Sequence, residues 1–510
     1  MNWWIPFALL ATFQQPSQEP EPRALHPLQG RFRFSIENLE IGRGEDMGLF
    51  GLHFDFYPLP EDLPGLFLSA GGFGAITGER GGFLVGGFGG GYQFTLAESL
   101  YLELGAFAGG GGGGAAPQGS GLMLREHLAL EWQPGAIGFR LEGSLIDFPD
   151  GGIDSSQVAA GITLPLELWR ARHGPGKQEA AEATPAWPIR AGLTTLWADP
   201  GSSSKRTDGS SLDQAFALMG LRVDAFPSDR EPWFLSLAGH GAFAGSIDGY
   251  AQLLLGAGYE LALSPSLAAE LRLQTGAGGG GTVETGGGWL LSPAAGLRWY
   301  LTDHWSLQAG VGWLWAPSGD YSALSLEGGL AMAGRPLRYR PRDAGRTLPA
   351  GTSLSKWRLE FANKSYFPDS GARLKNGRPM AENLQLVGLA ANRPLTPWLD
   401  FSGRAYGAWD GGSGGYAEGQ VGFQSHWAPV PDWNQFELLA EGLIGAGGGG
   451  GLDVDSGLIW EAGAGFVWQF DPDWRLSATG GRAAAFQGSF EATVFRLALA
   501  WNLAMPVTSS

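Results

Sequence analysis

Histidines and loop carboxylates are the residues of this sequence that could support catalysis or metal binding. The seven His residues are scattered, and none has the H-x-x-x-H or H-E-x-x-H spacing of a metal site. His127 lies two residues after Arg125 and could act as a general base, but no serine motif accompanies it. Asp453 and Asp455 match the start of a calcium loop without its later bidentate glutamate. We therefore predict no enzyme activity, no bound metal and no other cofactor.

Three charged residues stand at the same distance from three runs of glycine. Glu103, Arg272 and Glu441 each lie six positions before the first glycine of a run. We expect all three side chains to face the inside of the fold. Charges around a lumen can form a constriction that selects ions, or a network of salt bridges. The alternative is that they are ordinary inward polar residues.

The glycine runs themselves could form a contact surface. They cover 109–114, 278–281 and 447–451. As loops they would supply turns and flexibility, whereas as continuations of strands they would let another backbone approach closely. The second interpretation predicts close approach at these positions: Gly109, Gly110, Gly278, Gly279, Gly447 and Gly448.

The composition excludes several classes of protein. Of the 510 residues 85 are Gly, yet no G-X-Y period is present, which excludes collagen. Hydrophobic residues make up 44%, with 21 Trp and 29 Phe, which is too many for a disordered chain. The net charge of -17 gives no reason to expect a nucleic-acid partner. Because the chain has no Cys, it has neither disulfides nor thiolate metal ligands.

An apolar run near the N-terminus predicts secretion. Residues 3–13 (WWIPFALLATF) have the length of the core of a signal peptide and are too few to span a bilayer as a helix. We therefore expect a signal peptide and linker over residues 1–30. No other segment has 18 consecutive apolar residues, which argues against a helical membrane protein. A membrane protein without such helices must be a closed β-barrel.

The chain carries a long internal repeat. The three glycine runs begin at 109, 278 and 447, a constant spacing of 169 residues. Segments beside them also align, as in 121–132 (GLMLREHLALEW), 288–299 (GWLLSPAAGLRW) and 457–468 (GLIWEAGAGFVW). Such spacing predicts a tandem triplication of a domain-sized unit. The predicted units cover residues 31–169, 189–333 and 357–510.

Two predicted linkers separate these units. Residues 170–188 are mixed in charge. Residues 334–356 contain five Arg and one Lys against one Asp, a local excess of positive charge in an acidic chain. This second linker could bind lipid phosphates or an acidic partner, or it could be a solvated spacer. Its candidate contact residues are Arg335, Arg338, Arg340 and Arg342.

Each unit contains about eight segments with the alternation of β-strands. In residues 137–145, for example, Phe139 and Leu141 alternate with Arg140 and Glu142. One face of these strands is apolar throughout, and the other is small or polar. The links between them also alternate, from short turns that carry Pro, Asp and Trp to longer glycine-rich loops. Glu126 is an exception, because it falls on an apolar face.

These features resemble those of Gram-negative outer-membrane β-barrel proteins, over residues 31–501. Such barrels have strands of 9–11 residues with an apolar outer band, short periplasmic turns, longer external loops and girdles of aromatic residues. The resemblance implies that the chain spans the cell outer membrane in contact with its lipid. It also implies that both linkers lie on the periplasmic side.

The fold class is therefore all-β, an antiparallel transmembrane barrel of about 24 strands in three eight-stranded repeats. The strands could close into one wide barrel or into three small ones. Eight-stranded barrels are filled by side chains, whereas the inward face here is rich in Gly, Ala and Ser. This difference favours one wide barrel. A soluble β array would need a surface that is roughly 25–35% charged, but only 16% of this chain is charged.

A wide barrel predicts a pore or conduit for a large substrate, or a lumen that encloses a protein or polymer partner. The alternative is a structural or surface-interaction barrel, which presents loops or holds an envelope complex together without an open pore. The oligomeric state is left open.

Overall fold

The computed structural model describes residues 23–42, 44–173, 176–228, 231–429 and 435–508. Residues 1–22 of the predicted signal peptide and linker lie outside these residues, whereas residues 23–30, predicted as linker, belong to the first strand. The described chain folds almost wholly into strands, turns and loops. Its helical structure there consists of a single 3₁₀ turn at Pro341–Asp343, so none of it is a helix that could cross a membrane.

The first eight strands form a closed antiparallel ring. The first strand closes it, because Phe32 lies opposite Phe54 of the second strand and Leu164 of the eighth. We call this unit the first ring. Its strands are β1 (Arg23–Glu40), β2 (Asp46–Phe56), β3 (Leu66–Thr77), β4 (Leu84–Ala97), β5 (Leu100–Gly112), β6 (Leu122–Trp132), β7 (Gly138–Asp147) and β8 (Asp154–His173).

A second ring follows the short strand β9 (Lys177–Ala180). It closes between its own first and last strands, where Leu193 lies opposite Leu330. Its strands are β10 (Ile189–Pro200), β11 (Phe216–Ala225), β12 (Trp233–Ala244), β13 (Ala251–Ser264), β14 (Leu267–Gly279), β15 (Trp289–Tyr300), β16 (Trp305–Ala316) and β17 (Tyr321–Pro336).

A third ring follows the two-residue strand β18 (Arg346–Thr347). Phe361 of its first strand lies opposite Leu499 of its last. Its strands are β19 (Ser353–Pro368), β20 (Leu384–Thr396), β21 (Leu399–Asp410), β22 (Ala417–Trp427), β23 (Phe436–Gly448), β24 (Leu458–Gln469), β25 (Trp474–Ala485) and β26 (Glu491–Thr508).

The prediction of one wide barrel is therefore wrong, and the alternative of three small barrels describes the strand pairing. In each ring the first and last strands satisfy each other's backbone hydrogen bonds. Among the described residues, the second and third rings pair only at the ends of β17 and β26, where Arg335 lies opposite Thr508. Along the rest of each ring no strand edge remains on which a neighbouring ring could continue the sheet.

The aligned sequence segments occupy the same strand of each ring. Residues 121–132, 288–299 and 457–468 supply the sixth strands β6, β15 and β24. Each of these strands carries a Trp opposite the first residue of the fifth strand, and the three are Trp132, Trp299 and Trp468. Strand pairing therefore fixes which residues of the three rings are equivalent.

The predicted alternation of strand faces is confirmed. On β7, Phe139 and Leu141 are exposed on the outside of the ring, whereas Arg140 and Glu142 are buried inside it. Across all three rings many large apolar side chains are exposed on the strands. Glu126 of β6 also lies on the outside, as expected.

The two linkers pack together on the side of the short turns. The strands β9 and β18 extend the sheet beyond β1, and Trp169 lies against Tyr339 with ring centroids 4.6 Å apart. Buried Leu25, Ala181 and Leu337 complete a small apolar core. We call residues 170–188 and 334–352 the linker layer. Two strands run into it. Strand β1 begins at residue 23, before the predicted start of the first unit at 31, and β26 continues to residue 508, past the end of the barrel resemblance at 501.

Candidate functional site

The interior of the first ring is filled by a network of ion pairs. Arg31 lies 2.9 Å from Asp55 and 2.7 Å from Glu131, and it also contacts Glu103. All four side chains are buried. Alternation along the strands points them inward, and the narrow ring lets a guanidinium reach carboxylates on several strands.

His127 belongs to this network. Its Nε2 lies 3.0 Å from Glu103 and 3.4 Å from Arg33, inside the ring. The ring wall and the other buried side chains surround it, and among its side-chain partners no serine accompanies it. The arrangement is that of a packed interior group, and His127 is only 6% exposed.

The second and third rings have networks of their own. In the second ring Arg222 lies 2.8 Å from Glu270 and 3.0 Å from Glu327. In the third ring Lys364 lies 2.7 Å from Glu461 and its side chain is completely buried. Because each buried cation has carboxylate partners, burial leaves few unpaired charges. Within the described residues no cluster of His, Cys, Asp and Glu could hold a metal ion.

Glu103, Arg272 and Glu441 are not brought together. Each lies inside a different ring, where Arg272 is 3.0 Å from Glu270 and Glu441 is 2.5 Å from Arg404. They do not form one constriction. The register also differs from the expected spacing, because the equivalent of Arg272 in the first ring is Gly105 rather than Glu103.

The prediction that inward faces rich in Gly, Ala and Ser do not suit small, filled barrels is also wrong. The inward faces do contain many Gly, Ala and Ser residues, but a few long charged side chains suffice to fill an eight-stranded ring. Arg298 and Arg496, for example, are less than 2% exposed. The single wide lumen that a pore required is not formed by the described strands.

The three rings contact one another in a cyclic order. The third strand of each ring approaches the fifth and sixth strands of the next: β3 meets β14 and β15, β12 meets β23 and β24, and β21 meets β5 and β6. Gly74 of the first ring thus faces Ala277 of the second, and Gly241 of the second faces Ala446 of the third. We call these three contacts the ring junctions.

Three of the six predicted glycines lie at the ring junctions. A Cβ atom on Gly110, Gly279 or Gly448 would come within 2.5 Å of backbone atoms of a neighbouring ring. These backbones pass too closely for any side chain. The other three, Gly109, Gly278 and Gly447, instead meet atoms of their own ring.

The residues on the opposite side of each junction were not predicted. One is Gly407 of β21, which faces Gly110. The others are Gly82, Gly249 and Gly415, in the loops before the fourth strands, and these three have positive φ. A Cβ on Gly82 would lie 2.2 Å from the backbone nitrogen of Gly280. The signal was present in the sequence, because GGF, DGY and GGY precede the three fourth strands with Gly in the middle.

One ring junction also carries an ion pair. Asp248 of the second ring lies 2.7 Å from Lys375 of the third, in the loops beyond the strands. Burial raises the pKa of Asp248 above its ordinary value of 3.8, although the ammonium group of Lys375 opposes the shift. The carboxylate is thus held at the junction in a partly desolvated position.

The predicted basic residues lie in the linker layer. Arg340 and Arg342 both contact Glu182, at 2.7 and 2.8 Å. Arg335 donates to the carbonyl oxygen of Ala186. The backbone of Arg338 pairs with Leu168, while the residue is exposed. The first linker therefore neutralises part of the charge of the second.

No protein-family model matches this chain, and no curated protein matches it. Solved structures that it resembles are transmembrane β-barrels. A de novo designed barrel is 14% identical, with a TM-score of 0.20, and the match covers 30% of this chain and 99% of the designed one.

Two receptors of Pseudomonas aeruginosa also match. A mutant ferric enterobactin receptor is 12% identical, with a TM-score of 0.27, and the match covers 95% of this chain and 81% of the receptor. The siderophore receptor PirA is 12% identical, with a TM-score of 0.28 and the same coverage. The predicted resemblance to outer-membrane β-barrels is confirmed at the level of the fold.

Proposed function

We propose that this chain is a non-conducting outer-membrane protein that acts as a structural or surface-interaction barrel. The three rings would span the outer membrane side by side, with the glycine-rich loops outside and the linker layer in the periplasm. The apolar outer faces of the strands support this placement, because lipid requires an apolar band on a closed barrel.

The observation that carries this proposal is the filling of each ring by buried ion pairs. A pore needs a continuous path of water, but side chains such as Arg298, Lys364 and Arg496 occupy the interiors and are held by carboxylates. Breaking a buried pair costs about 3–5 kcal/mol, so thermal motion would rarely open such a path. We therefore favour the scaffold over the conduit.

Conductance in planar lipid bilayers tests this proposal. We expect no channel steps from the wild-type protein. The control variant combines Arg31→Ala with Glu103→Ala, which removes one cation and one anion from the first ring and should produce small steps. Large steps from the wild-type protein would contradict the proposal, and the variant shows that the assay detects a ring-sized opening.

We also propose that the linker layer contacts anionic lipid headgroups. Arg338 is exposed and the side chain of Arg342 is 63% exposed, next to strands that leave the membrane. An Arg338→Ala and Arg342→Ala double variant should reduce retention of anionic lipid on the purified protein. Unchanged retention would contradict this contact.

A further inference from the structure

Residues 502–508 continue the last strand of the third ring past the wall of that ring. The pairing of β26 with β25 ends at Trp501, opposite Trp474. The pairing of β26 with β19 continues to Val507, opposite Ser353. One edge of residues 502–508 is therefore left open, and an open strand edge can pair with another part of the chain. We call residues 502–508 the strap.

The open edge of the strap is bonded to the chain where it leaves the second ring. Arg335, near the end of β17, lies opposite Thr508. The backbone N–H of Leu337 donates to the carbonyl oxygen of Pro506, at 3.0 Å. Because proline has no N–H, Pro506 can only accept in this ladder. The strap thus fixes the position of the last strand of the second ring.

The same part of the second linker is bonded to the first ring. The backbone N–H of Trp169 donates to the carbonyl oxygen of Leu337 at 3.1 Å, and that of Tyr339 donates to the carbonyl oxygen of Glu167 at 3.2 Å. Trp169 and Glu167 belong to β8, the last strand of the first ring. Backbone hydrogen bonds therefore connect the last strands of all three rings, in the order β26, β17 and β8.

The strap also has an apolar contact with the first ring. Leu503 is buried in one cluster with Leu28, Phe56 and Leu168 of the first ring. Trp501, just before the strap, stacks on Phe56 with ring centroids 5.2 Å apart. Burial of apolar surface favours this contact. The strap therefore contacts the second ring through its backbone and the first ring through its side chains.

The strap is not part of the wall that closes a ring. The first and second rings close through β1 with β8 and through β10 with β17. In the third ring the pairs from Leu359 with Trp501 to Pro368 with Ala492 join β19 to β26 without a strap residue. Closure of the rings and their orientation on the side of the short turns therefore depend on different residues.

We propose that the strap holds the three rings in one orientation on the side of the short turns. Because the strap continues β26, it reaches the end of β17 only after β26 has paired with β19 in the third ring. The orientation of the rings is therefore fixed after the rings have closed. The proposal rests on contacts between rings and does not depend on the absence of conductance.

Electron–electron distance measurements between spin labels on two short turns test the proposal in lipid vesicles. The labels are attached to Leu63→Cys in the first ring and Leu301→Cys in the second, which are exposed and lie outside the strap. The full chain should give one narrow distance distribution. Leu503→Asn with Met505→Asn, or a chain that ends at Trp501, should give a several-fold broader one. A broad distribution in the full chain, or an unchanged width in both variants, would overturn the proposal.

Two controls separate the strap from the closure of the rings. Ala504→Asn should leave the width unchanged, because alternation places this residue on the other face of the strap from Leu503. In the chain that ends at Trp501, a thiol crosslinker should still join Leu193→Cys to Leu330→Cys within the second ring. Loss of this crosslink would mean that the strap is needed for closure and would overturn the proposal. Channel steps from any of these proteins would contradict the non-conducting function alone.

Discussion

The ring junctions yield a prediction whose magnitude follows from the geometry of single glycines. Gly249 has a φ of +82°, and a Cβ there would lie 2.5 Å from the backbone nitrogen of Gly449 in the third ring. Gly209 has a φ of +84°, but a Cβ there would meet nothing within 4 Å. Alanine at either position carries the same backbone strain, whereas at Gly249 alone it also forces two rings apart.

The expected free energies of unfolding differ accordingly. The left-handed backbone costs about 1–2 kcal/mol for a residue with a Cβ, and this is the whole cost of Gly209→Ala. Overpacking adds about 1–3 kcal/mol at Gly249→Ala. Backbone atoms cannot rotate away from the clash as a flexible side chain would.

Urea unfolding in lipid vesicles, followed by the gel mobility of unboiled samples, measures this difference. A disulfide between Gly241→Cys and Ala446→Cys reports on the junction itself, since a Cβ on Gly241 would lie 3.4 Å from that of Ala446. The native chain contains no Cys, so no other disulfide competes. Gly249→Ala should slow formation of this disulfide, while Gly209→Ala should not. Equal effects of the two substitutions on both readouts would refute the role of glycine at the junction.

Three further predictions concern charged residues. Glu103→Gln should lower the free energy of unfolding by about 3 kcal/mol in urea titration, because it removes one of the buried carboxylates that pair with Arg31 and Arg140. Glu126→Leu should raise it by up to about 2 kcal/mol, because it removes a charge from the apolar outer face, and a loss of stability would contradict that placement. Since the pKa of Asp248 is raised in the folded state, protonation of this one group should contribute stability to the wild-type protein as the pH falls through that raised pKa toward 3.8. Asp248→Asn should remove this gain, as measured by urea midpoints between pH 7 and pH 4.

The strands, their two faces and the side on which the linkers lie were predictable from the sequence. Alternation along a strand such as β7 depends only on local residue types. The choice between one barrel and three was not predictable in this way. It depends on whether the first strand of a unit pairs with the eighth. The charged side chains that pair inside a ring are also far apart in the sequence, by up to 136 positions for Glu360 and Arg496, so local residue patterns do not reveal them.

The candidate site was predictable only in part, for a similar reason. Glycine runs mark places where backbones approach, but the sequence does not say which neighbour approaches. Gly110 faces the backbone of the third ring, whereas its neighbour Gly109 faces atoms of the first ring, to which it belongs. Glu103 was predicted to be equivalent to Arg272 because each lies six residues before a glycine run. The strand register instead makes Gly105 the equivalent of Arg272. Pairing between strands, which the sequence alone does not give, fixes such equivalences.

The closure of each ring can be tested directly by crosslinking. Leu193→Cys and Leu330→Cys place thiols on opposite residues of β10 and β17. A short thiol-specific crosslinker should join them in the intact outer membrane, and it should not join Leu193→Cys to Ile162→Cys on β8. Three separate rings predict this result. Crosslinking of β10 to β8 without crosslinking of β10 to β17 would instead mean that the strands form one wide barrel, and it would contradict the closure of three separate rings.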